Sequence, residues 1–107
     1  MEEIRTKNFT AKDMFNAATA KSLKSMVGQQ LNVVGVWVTD RPDLNGEIKT
    51  VANLKTDDGS IYGTISDTVV RSVLALPEML MTEESILINV ESRPGTKGRD
   101  YIVITLA

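Results

Sequence analysis

Trp37, Lys49, Asn53, Lys55 and Tyr62 are the residues of this chain whose types and spacing suggest a chemistry. An indole and a phenol offer flat π-faces, and the ammonium groups offer mobile positive charge. Together they can stack planar rings and hold phosphate oxygens, each stacked ring being worth roughly 1–3 kcal/mol. A second cationic group, Arg93, Lys97 and Arg99, lies in the basic segment RPGTKGR, and Arg41 stands in the turn-rich segment TDRPDLNGE. The competing reading makes Trp37 a core residue, the lysines an ordinary solvated strand face, and RPGTKGR an ordinary hairpin tip.

Catalytic chemistry has little to work with. The sequence contains neither histidine nor cysteine, which removes the commonest neutral-pH base, the commonest metal ligand and every thiolate. A phosphate-cradling GxxxxGK[ST] loop is missing, and no Ser, Lys or carboxylate cluster resembles a nucleophile with its base. Asp57 and Asp58, followed by Gly59, read as turn residues and not as a metal site. The sequence thus implies no enzyme, no cofactor, no metal and no small-molecule substrate.

The elements that must position these residues follow from periodicity. Residues 1–8 show none and read as an arm. Thr10 with Asp13 forms a capping-box pattern, and Phe9 with Met14 has the spacing of a hydrophobic staple. A helix is therefore expected after Thr10, with a break near Thr19 and a stop at Gly28. Residues 30–38, QLNVVGVWV, form a β-prone run whose central Gly35 suggests a bulge or sharp bend. Residues 48–55 alternate cleanly, residues 56–59 turn the chain, and residues 61–65 make a third strand. Val69, Val70, Val73 and Leu74 then give a helical stripe, capped by Ser66 or Asp67 and stopped by Pro77. Residues 86–90 and 101–106 are the last strands.

The order strand, strand, strand, helix, strand, strand is that of a five-stranded oligonucleotide-binding (OB) barrel. The expected fold is therefore mainly β with helices. A single OB-like domain is expected over residues 1–107, with an N-terminal arm and helix at 1–29 and the barrel at 30–107. Matching the strands across their turns sets Val38 opposite Ile48, Trp37 opposite Lys49, Leu54 opposite Ile61 and Asn53 opposite Tyr62. One face then holds Val34, Val36, Val38, Ile48, Ala52, Leu54, Ile61 and Ile65 as a core. The other holds Trp37, Lys49, Val51, Asn53, Lys55, Tyr62 and Thr64 in solvent, the combination single-stranded nucleic acid asks for.

With the residues WVTDRPDLNGEIKTVANLKTDDGSIYGTI in view, the chain resembles small phage-encoded single-stranded DNA-binding proteins with an oligonucleotide-binding fold. The resemblance covers roughly residues 30–106. It implies sequence-independent binding of single-stranded DNA in replication or recombination, in the host cytoplasm, with Trp37 and Tyr62 stacking on bases. It further implies that Lys49, Lys55, Arg93, Lys97 and Arg99 contact phosphates. Bacterial relatives in function end in an acidic tail that recruits partners, whereas this chain stops at YIVITLA. The N-terminal helix either covers an open end of the barrel or makes a contact in a homo-oligomer.

Charge and hydropathy set the remaining expectations. The net charge of −2 argues against coating duplex DNA by bulk charge but leaves room for a local basic groove. No apolar run approaches the about 20 residues that span a bilayer, and MEEIRTKN has no apolar segment, so a cytoplasmic protein without membrane contact is expected. The rival to DNA binding is a protein-interaction module of the same architecture, such as a virion accessory part or an inhibitor of a host enzyme. In that case exposed aromatics would anchor an interface.

Overall fold

Period-two alternation dominates from Gln30 onward, and the computed structural model, which describes residues 5–107, is mainly β with short helices. Residues 1–4 of the expected arm lie outside the described residues. In chain order the elements are β1 (Thr6–Lys7), α1 (Ala11–Asn16), β2 (Lys21–Ser22), β3 (Gln30–Pro42), β4 (Ile48–Thr56), β5 (Ile61–Thr64), α2 (Asp67–Val73), α3 (Leu76–Met79), β6 (Ile86–Pro94) and β7 (Asp100–Leu106). The strands form one strongly curled, open sheet in the order β2-β5-β4-β3-β6-β7, with β1 paired to β3. Its hydrogen-bonded path ends at β2 and β7, so the gap between β5 and β7 is not closed by strand pairing. No helix among the described residues is long and apolar enough to cross a membrane.

A bulge in β3 decides which residues face inward. Val33 pairs with Thr56 but Gly35 pairs with Lys55, leaving Val34 as the extra residue. The bulge inverts the alternation, so Leu31 and Val33 before it and Val36 and Val38 after it all point into the core. Ala52, Leu54, Tyr62, Val69, Val73, Ile88 and Val90 are among the other members of that cluster, with Leu23 fully buried among them. Leu23, from the segment before the barrel strands, thus packs into the same core as those strands.

The local signals act as their chemistry dictates. The Thr10 hydroxyl accepts from the Asp13 amide at 3.1 Å, and the Asp13 carboxylate accepts from the Thr10 amide at 2.9 Å, closing the capping box on α1. The helix breaks after Asn16 into a 3-10 turn, residue 20 is extended, and a further 3-10 turn covers Leu23–Met26. The break expected near Thr19 is thus present, but the segment after it is the short strand β2 and a 3-10 turn instead of a second helix. α2 stops at Val73, ahead of the expected stop at Pro77, and Pro77 lies in the first turn of α3, where its missing N–H costs nothing.

Both expected registers shift. Val38 faces Ala52 and Ile48 faces Pro42, because pairing runs on into the segment read as a turn. That slide is even, so it preserves faces. In the second hairpin Lys55 faces Ile61 and Leu54 faces Tyr62, a slip of one residue that exchanges the faces of β5. The Asp58 carboxylate sets this turn by accepting from the Thr56 hydroxyl and the Ser60 amide. Ile48 and Ile65, expected in the core, are exposed, and Val34 is half-buried on the bulge.

Candidate nucleic-acid interface

The outer face of β3 and β4 carries Trp37, Asn53, Lys55 and Lys49, as alternation requires, but the N-terminal segment covers most of it. β1 pairs with β3, with Thr6 opposite Trp37 and Lys7 opposite Val36. The chain then passes so close over Gly35 that a Cβ there would lie 2.7 Å from the Asn8 carbonyl oxygen. Gly35 is therefore required by this crossing. The Asn8 amide donates to the Val34 carbonyl at 3.0 Å, satisfying the bulged backbone.

Under the arm, the expected binding residues are occupied. The Phe9 and Trp37 rings lie 6.1 Å apart at a 40° tilt, and the Arg41 guanidinium sits 5.6 Å from the centroid of the same Trp37 indole. The Lys55 ammonium reaches the Asp13 carboxylate at 2.7 Å, each side chain being 18% exposed, and lies 5.7 Å from the Phe9 ring. The hydrogen bond from Lys55, followed by that from the Thr10 backbone, holds the Asp13 carboxyl below the usual aspartate range. Asn53 is 1% exposed and donates to the Trp37 carbonyl at 3.1 Å, which corrects its expected place in solvent. A buried amide is tolerated because that bond satisfies it.

Tyr62 is the larger correction. The one-residue slip turns its ring into the main core, where it is 7% exposed, and turns Ile61 outward against Phe9 and Ala17. Lys49 stays on the expected face opposite Arg41 instead of Trp37, and pairs with Glu47 at 3.3 Å. Arg93 lies on β6 opposite Tyr101 and reaches Glu91 at 3.5 Å.

The exposed combination of aromatic and cationic groups is elsewhere, in the gap between β5 and β7. A depression of about 620 Å³ is lined by Lys21, Lys24, Val51, Asn53, Ile65 and Tyr101, among others. Two neighbouring depressions share Asp100 and Tyr101 with it and add Lys97 and Arg99. Tyr101 is 44% exposed where all three meet. Among the described residues Lys21, Lys24, Lys97 and Arg99 form no ion pair, while Asp100 is the carboxylate present in this cleft. The short parallel pairing of β2 with β5 brings Lys21 opposite Tyr62, and a Cβ on Gly63 would be in ordinary contact with that of Ala20 at 3.7 Å.

Sequence reading placed Lys97 and Arg99 beside the site but missed Lys21 and Lys24, which were absorbed into an expected helix. The break at Thr19 was the available signal, since an extended chain after it frees both lysines from a helical face. Among the described residues no group of acidic side chains converges to hold a metal ion. Compared with family models, with curated proteins and with solved structures, the chain matches none.

Proposed function

We propose that this chain is a non-enzymatic, sequence-independent binder of single-stranded DNA, built on an oligonucleotide-binding half-barrel and serving replication or recombination of the phage type. Supporting the fold assignment, the long strands run in the order β5-β4-β3-β6-β7 with α2 between β5 and β6, as an open five-stranded barrel of that kind would. The observation that carries the functional reading is the cleft at Tyr101. An exposed phenol there lies among Lys21, Lys24, Lys97 and Arg99, none of which forms a salt bridge among the described residues, though Lys21 also feels the Asp58 carboxylate. Bases stack on the ring while the cations follow the backbone.

Anisotropy titration of labelled oligo-dT at low salt tests the reading. Tyr101→Ala is expected to weaken binding by about 1–3 kcal/mol without loss of fold, in line with removal of one stacking platform. Absence of binding by the parent chain at low ionic strength would end the proposal. Leu44 and Ile48, both strongly exposed at the β3–β4 turn, favour the second reading, a protein-interaction module. Indifference to DNA together with a stable protein complex lost on Leu44→Ser would decide for it.

A further inference from the structure

The segment lying over Trp37 and Lys55 makes the contacts that a bound strand of nucleic acid would make. Phe9 sets an aromatic ring against the Trp37 indole where a base would stack, their centroids 6.1 Å apart. Asp13 holds a carboxylate oxygen 2.7 Å from the Lys55 ammonium, where a phosphate oxygen would sit. This covered surface is continuous with the cleft, because Asn53 both faces Trp37 across the hairpin and lines the depression at Tyr101. A strand leaving Tyr101 along β4 would run into the arm.

The arm is lightly held. β1 spans only Thr6–Lys7, α1 buries none of its residues, and Phe15 on α1 is 81% exposed. Its apolar anchors are Phe9 and Ala17, packed with Ile61 in a small cluster apart from the main core, and its polar ties run from Arg5 to Asp40, from Asn8 to the Val34 carbonyl and from Asp13 to Lys55. Beyond residue 20 the situation changes, since Leu23 is fully buried in that main core. Elements with few buried contacts open at low cost, and here the opening would stop before Leu23.

We propose that Trp37 and Lys55 form a second nucleotide subsite, closed in the free protein by residues 5–20 and opened when a single strand displaces them. The inference rests on the DNA-binding reading of the cleft and adds to it a site that the folded arm conceals. Phe9 and Asp13 act as internal stand-ins for a base and a phosphate. The strand that displaces them gains one stacking contact and one charge contact beyond those of the cleft.

The test uses full-length protein and labelled oligo-dT at several salt concentrations, with thermal melting of each variant. Asp13→Asn removes the internal competitor and is expected to tighten binding by about five- to tenfold. It should also steepen the logarithmic salt dependence by about 0.7, the increment for one further phosphate contact on a single strand. Adding Lys55→Ala to Asp13→Asn should abolish both gains. Glu78→Gln, the same charge change at the exposed position of α3, should produce neither. Phe9→Ala is the second route to release and should tighten binding while increasing quenching of Trp37 by the oligonucleotide. A lowered melting temperature with unchanged affinity and salt slope overturns the subsite, as does a gain that survives Lys55→Ala. In those cases Tyr101→Ala still reports on the cleft. No binding by the parent or by any variant overturns both readings.

Discussion

Two tyrosines of the same type do opposite work because of one residue of register. Tyr62 faces Leu54 and packs in the core, whereas Tyr101 lies on the exposed edge strand β7. Truncating a buried aromatic removes its transfer free energy and leaves a cavity, so Tyr62→Ala should destabilise the fold by about 3–5 kcal/mol. Tyr101→Ala, without such a cavity, should stay within about 0.5 kcal/mol of the parent in stability. Chemical denaturation of the two variants checks this directly. Equal losses of stability would mean that β7 packs more tightly than its exposure indicates. A loss of DNA binding in Tyr62→Ala alone carries no information about contact, because unfolding would produce it too.

At the scale of elements, what was legible in the sequence is what is written locally. The capping box at Thr10 and Asp13, the turn at Gly59 and the bend at Gly35 each depend on a few adjacent residues. The pairing partner of a strand does not, and that is where the reading failed. The Asp58 carboxylate chooses between two hairpin registers through the Thr56 hydroxyl and the Ser60 amide, and composition alone does not reveal the choice. Coverage of the Trp37 face was also unreadable, since it needs a segment distant in sequence to fold back across Gly35. The arm that does so has its own signature in pH. The Asp13 carboxyl titrates below its ordinary value of 3.8, first because Lys55 donates to it. A depressed folded-state value means that the arm's stabilisation is complete above the ordinary value and is lost as pH falls through the lower one. Trp37 emission should therefore change on acidification below about pH 4, and Asp13→Asn should remove that transition. The Asp58 carboxyl is likewise lowered, chiefly by the Thr56 hydroxyl, so a transition persisting in Asp13→Asn would assign it to the β4–β5 turn instead.

For the whole molecule, net charge and charge placement point in different directions. A chain of net charge −2 has no bulk attraction for polyanions, and the sequence read as a whole gives no more than that. The fold sets two groups of its cations apart. Lys49, Lys55 and Arg93 are held by Glu47, Asp13 and Glu91, whereas Lys21, Lys24, Lys97 and Arg99 surround the β5–β7 gap without ion-pair partners among the described residues. Ion-paired groups must give up a carboxylate before meeting a phosphate, so they release fewer counterions on binding. Each free cation that meets a phosphate adds about −0.7 to the slope of log affinity against log salt, so four of them give a slope of about −3. Lys24→Ala and Arg99→Ala should each flatten that slope by about 0.7 and weaken binding most at low salt. Lys49→Ala and Arg93→Ala should leave the slope nearly unchanged, because cations already held by Glu47 and Glu91 are not the ones that meet phosphates. Anisotropy titrations across a salt series separate the two groups. A slope that responds to Lys49 and Arg93 but not to Lys24 and Arg99 would move the strand off the β5–β7 gap and onto the β3–β4 hairpin.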